Sequence, residues 1–120
     1  MRQTRCCPGD CTIRSDWEKE LRGEIDLVRG NRFKEAIAVL KVLSHPSRLK
    51  IVMLLLSRDH CVCEINYVLD EPQNMVSYNL GMLKKYGIVE SYNHSKHKFY
   101  RLNDDAVAFI RQIKEHLVEG

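Results

Sequence analysis

The sequence predicts a mainly helical α+β chain in which two helices joined by a tight turn precede a two-stranded hairpin and a last helix. Three observations carry this. Apolar residues recur at i, i+3, i+4 and i+7 over much of residues 16–86, the helical signature. Two β-branched and aromatic runs, Ile88-Val89-Glu90-Ser91-Tyr92 and Lys98-Phe99-Tyr100-Arg101-Leu102, flank the short polar stretch 93–97, the mark of a hairpin. Helical spacing then returns in Ala106, Phe109, Ile110, Ile113 and Leu117, behind a cap at Asn103 or Asp104.

The elements follow in order. Residues 1–15 contain Pro8, Gly9, Asp10 and Thr12, turn formers that predict a flexible, cysteine-bearing arm, with one domain over 16–120. A helix opens at Ser15 or Asp16 and carries Trp17, Leu21, Ile25 and Val28, with Gly23 and Gly30 as weak points. A second begins near Asn31 with Phe33, Ala36, Ile37, Leu40 and Leu43. It stops at Ser44-His45-Pro46, because the residue before proline is driven out of the helical region. Pro46 starts a third helix through Leu56, with Leu49, Val52, Met53 and Leu56 facing inward. A connection over residues 57–60 leads to a short helix from Cys61 to Leu69. After the turn Asp70-Glu71-Pro72-Gln73, a helix from Asn74 to Tyr86 buries Val76, Leu80 and Leu83 and stops at Gly87. Two helices across a tight turn form a helix-turn-helix candidate, and the hairpin after it has the position of a wing.

Composition narrows the function classes. The chain has 120 residues, 44% hydrophobic and 29% charged, enough for one core and unlike a disordered tail. Its longest apolar run, Ile51 to Leu56, is too short for a membrane span, and the start lacks a secretory leader, so the expected location is cytoplasmic. No Cys-x-x-Cys motif, Gly-rich phosphate loop or Ser/His/Asp set in an α/β pattern points to an enzyme. Charge is uneven: residues 74–101 hold Lys84, Lys85, Lys96, Lys98 and Arg101 against one acid, Glu90. That segment nets +4 of a total of +3, leaving −1 for the rest. A basic surface on a near-neutral body suits double-stranded DNA, although charge alone also fits a solvated lysine face. Asn74, Ser77, Tyr78, Gly81 and Lys85 share one helical face opposite the core leucines and present hydrogen-bonding groups to a major groove. His94, Lys96, His97 and Lys98 sit on the hairpin within reach of a backbone or minor groove.

The five cysteines fall in two groups, Cys6, Cys7 and Cys11 in the arm and Cys61 with Cys63 at a helix start. In a reducing compartment this usage favours thiolate chemistry over structural disulfides. Residues two apart on an intact helix point to nearly opposite sides. Cys61 and Cys63 therefore converge on one ion only if Cys61 stands at the non-helical start and Cys63 in the first turn, where the positive helix end favours thiolates. The alternative is that cysteine serves here as a small buried hydrophobe. His45 and His60 read as residues of helix boundaries.

Together, the stretches Leu43-Ser44-His45-Pro46-Ser47-Arg48-Leu49-Lys50-Ile51, Cys61-Val62-Cys63-Glu64-Ile65, and Val76-Ser77-Tyr78-Asn79-Leu80 through Leu83-Lys84-Lys85-Tyr86-Gly87-Ile88-Val89 resemble the ArsR/SmtB family of winged-helix metalloregulators. The resemblance covers nearly the whole chain. It implies a homodimer with the first and last helices at the subunit interface and a winged helix-turn-helix in each half. The apo protein would sit on an operator and leave it when metal binds. It places Asn74, Ser77, Tyr78, Asn79, Lys84 and Lys85 on the recognition helix. Cys7-Pro8-Gly9-Asp10-Cys11 resembles the paired arm cysteines of the CadC-like branch, in which the arm reaches the helical pair across the dimer. Cys7, Cys11, Cys61 and Cys63, with Cys6 as a substitute, would form an all-sulfur shell for Cd(II), Pb(II), Bi(III) or Zn(II), or for arsenite if three sulfurs engage. Glu64 stands where the family often has Asp and reads as a cap. His116 and Glu119, with Asp105 eleven residues before His116, resemble a degraded form of a second metal site on the last helices. The hairpin departs from the family in lacking a glycine at its tip. A thiol–disulfide redox sensor uses the same cysteines and is the alternative reading.

Overall fold

The computed structural model describes residues 11–120. The chain divides into two compact units, one up to Ile37 and one over Ala38–Gly120. In the first lie α1 (Cys11–Arg29) and the opening of α2 (Asn31–Leu43). Helix α1 starts ahead of the expected cap: Thr12 and Ser15 are absorbed into it, and Pro8, Gly9 and Asp10 precede it. Gly23 does not interrupt α1, whereas Gly30 does. A Cβ at Gly30 would lie 2.6 Å from the Asp26 carbonyl oxygen, so only glycine lets the chain pass there between α1 and α2. Within this unit Trp17 and Leu21 are half-buried, while Ile25, Leu27 and Val28 are exposed.

The second unit holds the main core. Helix α3 (Pro46–Ser57) begins as the sequence predicts: Pro46 opens it, and the extended His45 caps it through Nδ1, which accepts from the Ser47 amide at 3.2 Å. Its inward face keeps the expected Val52 and is wider than the spacing suggests. Ile51, Val52 and Leu55 are buried, while Leu49, Met53 and Leu56 pack only partly against them. Helix α3 is apolar nearly all round, so which side becomes most buried is decided by its neighbours and not by a stripe in its own sequence.

Strand β1 (His60–Cys61), α4 (Val62–Leu69), α5 (Gln73–Lys85), β2 (Val89–His94), β3 (His97–Leu102) and α6 (Asp104–Ile113) follow. Asp70 ends α4 in the left-handed region at φ 53° and ψ 48°. Gly87, at φ 72°, carries the chain from α5 into β2. The strands form an antiparallel sheet in the order β1-β3-β2. The expected two-stranded hairpin is present, and β1 adds a third strand along the middle of β3. At the tip His94 pairs with His97, leaving the two-residue turn Ser95-Lys96. Ser95 takes the positive φ, 57°, that glycine usually supplies there. The core of this unit joins Val42 and Leu43 of α2 to α3, α4, α5, the sheet and α6. Ile51, Val52, Ile65, Val76, Leu83 and Ile110 are fully enclosed.

Asn103 takes the N-cap position of α6 with its side-chain amide donating to the Gly87 carbonyl instead of capping the helix, and Ala106 and Ile110 are buried as predicted. Phe109 and Leu117, placed by their spacing on the same helix, are exposed in the single chain. The helix widens at Lys114–Val118 into a π-helical turn, where the Glu119 amide donates to the Lys114 carbonyl at 2.8 Å. Such an i+5 turn rotates later residues off the 3.6-residue stripe.

Candidate metal centre and nucleic-acid interface

Cys61 ends β1 and is the N-cap of α4 with extended backbone, φ −81° and ψ 163°; Cys63 stands in the first helical turn. That is the local geometry two thiolates need to converge. Both thiols are free, Cys61 half-buried and Cys63 exposed. Glu64 completes a capping box with Cys61, its Oε1 accepting from the Cys61 amide at 3.3 Å. The same carboxylate accepts from Arg58 Nη2 at 2.9 Å and Nη1 at 3.3 Å and faces His60 Nδ1 at 3.3 Å. The Arg58 guanidinium, helped by the Cys61 amide and His60, holds the Glu64 carboxyl down at about 2. With its oxygens so engaged, Glu64 shapes the cysteine segment and is not a free ligand. His60 is buried, its Nε2 3.2 Å from the Leu54 carbonyl oxygen, which ties the end of α3 to the start of α4.

Among the described residues no group of three or more His, Cys, Asp or Glu is arranged to hold a metal ion. Two sulfurs suit the donor chemistry of a thiophilic ion but make half a shell. Cys6 and Cys7 lie outside the described residues, and Cys11 opens α1 with its side chain likewise outside them. The second set is not assembled within one chain. Asp105 is in the first turn of α6, whereas His116 and Glu119 lie eleven and more residues on, roughly 16 Å along a helix axis. All three are exposed, and Glu119 pairs with Lys114 at 3.6 Å.

Helix α5 turns Val76, Leu80 and Leu83 into the core and leaves Asn74, Ser77, Tyr78, Gly81 and Lys85 exposed. Asn79 does not join that face. It is 1% exposed, and its Oδ1 accepts from Arg48 Nη1 at 3.0 Å. Arg48 Nε also donates to the Val42 carbonyl at 2.7 Å, so one guanidinium links the end of α2 to α5. The spacing was the available signal: Asn79 falls between Val76 and Leu83 on the inward stripe. Lys84 leans toward the wing and donates to Ser91 Oγ at 2.9 Å, while Lys85 lies 5.8 Å from the Tyr86 ring centroid. On the wing His94, Lys96, His97 and Lys98 are all exposed. Arg101 is held locally, 3.2 Å from Glu90 and 2.9 Å from Asp104, so less of the segment's positive charge faces outward than its count suggests. No described helix is long and apolar enough to cross a membrane.

Residues 45–91 match the family model described as bacterial regulatory protein, arsR family. The chain is 38% identical over 87 residues to the biofilm growth-associated repressor of Agrobacterium fabrum, covering 72% of this chain and 74% of that one. The chain belongs to the ArsR family. Among other ArsR relatives is the cadmium resistance transcriptional regulatory protein CadC of Listeria innocua, 39% identical over 75 residues, 62% of this chain and 56% of the relative. The crystal structure of the repressor BigR from Xylella fastidiosa superposes with a TM-score of 0.68 at 31% identity, covering 88% of this chain and 94% of that chain. A possible ArsR-family regulator of Mycobacterium bovis, described as a homodimeric winged helix-turn-helix DNA-binding domain, has a TM-score of 0.64 at 26% identity, covering 73% and 86%. The fold is that of winged helix-turn-helix regulators, mostly helical with an antiparallel wing. ArsR-family proteins are DNA-binding transcriptional regulators, not enzymes.

Proposed function

We propose that this protein is a cytoplasmic, homodimeric, metal-responsive repressor whose apo form binds an operator and whose thiols release it on taking up a thiophilic ion. The observation that carries this is the pairing of an extended N-cap Cys61 with a first-turn Cys63, both free, at the head of the helix that begins the helix-turn-helix. The relative named for cadmium resistance and the neighbour described as homodimeric support the same reading. Cys61 and Cys63 would hold the ion with Cys7 and Cys11, with Cys6 as the substitute for its neighbour Cys7. When bound, Cd(II), Pb(II), Bi(III), Zn(II) or arsenite supplies a fixed cross-link between thiolates. The chain does the rest. Cys61 fixes the start of α4, α4 packs on α5, and α5 presents Asn74, Ser77, Tyr78 and Lys85 to the major groove, with Lys84 directed to the wing base. His94, Lys96, His97 and Lys98 meet the backbone alongside. Release needs a coupling free energy of about 1–3 kcal/mol, or roughly 5- to 150-fold in operator affinity. Asp105, His116 and Glu119 are proposed only as an accessory O/N-rich site between protomers.

The free, exposed thiol of Cys63 also favours a second reading, in which a disulfide with an arm cysteine releases DNA. One experiment separates them. A duplex selected by the reduced protein from a random library is followed by fluorescence anisotropy while thiophilic ions or an oxidant are added. Release by an ion and rebinding on chelation supports the metal reading. Release by oxidant alone, reversed only by a reductant, replaces it with the redox one.

A further inference from the structure

The segment bearing the candidate thiols is also woven into the wing. Cys61 lies opposite Phe99 of β3, and His60 opposite Tyr100. Phe99 stands opposite Tyr92 of β2, and the two rings stack at 5.7 Å with 15° between their planes. Tyr92 closes a circuit by donating its hydroxyl to Asp59 Oδ2 at 2.6 Å, two residues before Cys61. A strand of two residues has little pairing of its own, so a hydrogen bond at its entry matters to whether it stays on the sheet. With that bond in place the backbone of Cys61 cannot turn without displacing Phe99 or breaking the Asp59 contact. Phe99 also meets the His94 ring edge-on at 6.0 Å, which brings the circuit to the basic tip.

We propose that Tyr92 is a positioning residue that couples occupancy of Cys61 and Cys63 to the wing, through its hydrogen bond to Asp59 and its stack on Phe99. The proposal rests on the metal reading and adds to it a second route, beside the α4–α5 contact. Through this route, turning the Cys61 backbone shifts β3 and re-aims Lys96 and Lys98 relative to the duplex. Asp59 and Tyr92 do not touch the ion or the DNA in this scheme, so their loss leaves ion binding intact and lowers its effect.

The test uses the full chain as wild type, Tyr92→Phe, which keeps the ring stack, and Asp59→Asn, whose amide oxygen still accepts from Tyr92. Cd(II) binding is read from thiolate-to-Cd(II) ultraviolet absorption, operator affinity with and without Cd(II) from anisotropy, and wing motion from amide hydrogen exchange over residues 97–102. Expected are the same Cd(II) absorption in all three, and an affinity ratio lowered more than about twofold in Tyr92→Phe and retained in Asp59→Asn. The Cd(II)-induced change in wing exchange is present in wild type and lost in Tyr92→Phe. A ratio in Tyr92→Phe within about twofold of wild type, with full Cd(II) absorption, overturns the Tyr92 route and leaves the metal reading standing. Absence of Cd(II) absorption in wild type overturns both.

Discussion

Arg48→Met tests how the recognition helix is held. The arginine donates to the Val42 carbonyl at 2.7 Å and to Asn79 Oδ1 at 3.0 Å. Methionine keeps most of the aliphatic stem and removes both bonds. Hydrogen bonds from a charged donor contribute about 1.5–3 kcal/mol, and a buried acceptor left without a partner costs about 1–3 kcal/mol. Asn79 is 1% exposed and its Nδ2 already has no partner, so losing Arg48 strands its whole amide in the core. Allowing for the hydration Arg48 gives up on folding, the expected loss is about 2–4 kcal/mol, a large share of the stability of a small domain. Asn79→Leu removes the stranded amide instead and leaves a part-buried guanidinium that water can reach, so it should cost less. Adding Asn79→Leu to Arg48→Met should then recover about 1–2 kcal/mol. Urea unfolding at fixed protomer concentration measures all four forms, since any dimerisation contributes to the midpoint. A loss below about 0.5 kcal/mol in Arg48→Met, or strictly additive losses in the double variant, would show that this network does not brace α5.

Three further outcomes follow from the same geometry. Glu64 has its carboxyl lowered from 4.5 to about 2 in the folded chain, so its contribution is complete above 4.5 and disappears as pH falls toward about 2. The gap in urea midpoint between wild type and Glu64→Gln should therefore be steady near neutrality and close over that window; a gap that widens on acidification contradicts the assignment. Gly87→Ala places a Cβ at φ 72° and should destabilise by about 1–2 kcal/mol in urea, and an unchanged midpoint would show that the chain relaxes out of the left-handed region. Lys96→Ala and Lys98→Ala should each reduce the slope of log affinity against log salt by about 1 per protomer, whereas an unaltered slope removes that lysine from the phosphate contacts.

Much of the architecture was legible because it is written in local chemistry. Pro46 behind His45, Gly87 behind Lys85, and the helical spacing of Val76, Leu80 and Leu83 each dictate an element or its end within a few residues. What the sequence did not disclose depends on partners far along the chain. Strand β1 is two residues long and exists because β3 lies beside it, and Asn79 is buried because Arg48 meets it from another helix. The π-helical turn at Lys114–Val118 likewise has no periodic signal in the sequence. For the candidate metal centre, the backbone that Cys61 and Cys63 would need followed from spacing alone, since two sulfurs two residues apart meet only across a helix start. The hydrogen bond between Asp59 and Tyr92 beside them did not, because residues so distant in sequence meet only in the folded sheet.

The central claim is that filling the Cys61 and Cys63 site releases DNA. It is tested most directly by one Cd(II) titration in which thiolate-to-Cd(II) absorption and operator anisotropy are followed together, on wild type and on Cys61→Ser/Cys63→Ser. In wild type the absorption should rise and the anisotropy fall with a common end point, and neither change should occur in the double variant. Absorption that saturates while the operator stays bound, or release that persists without both cysteines, would contradict the account.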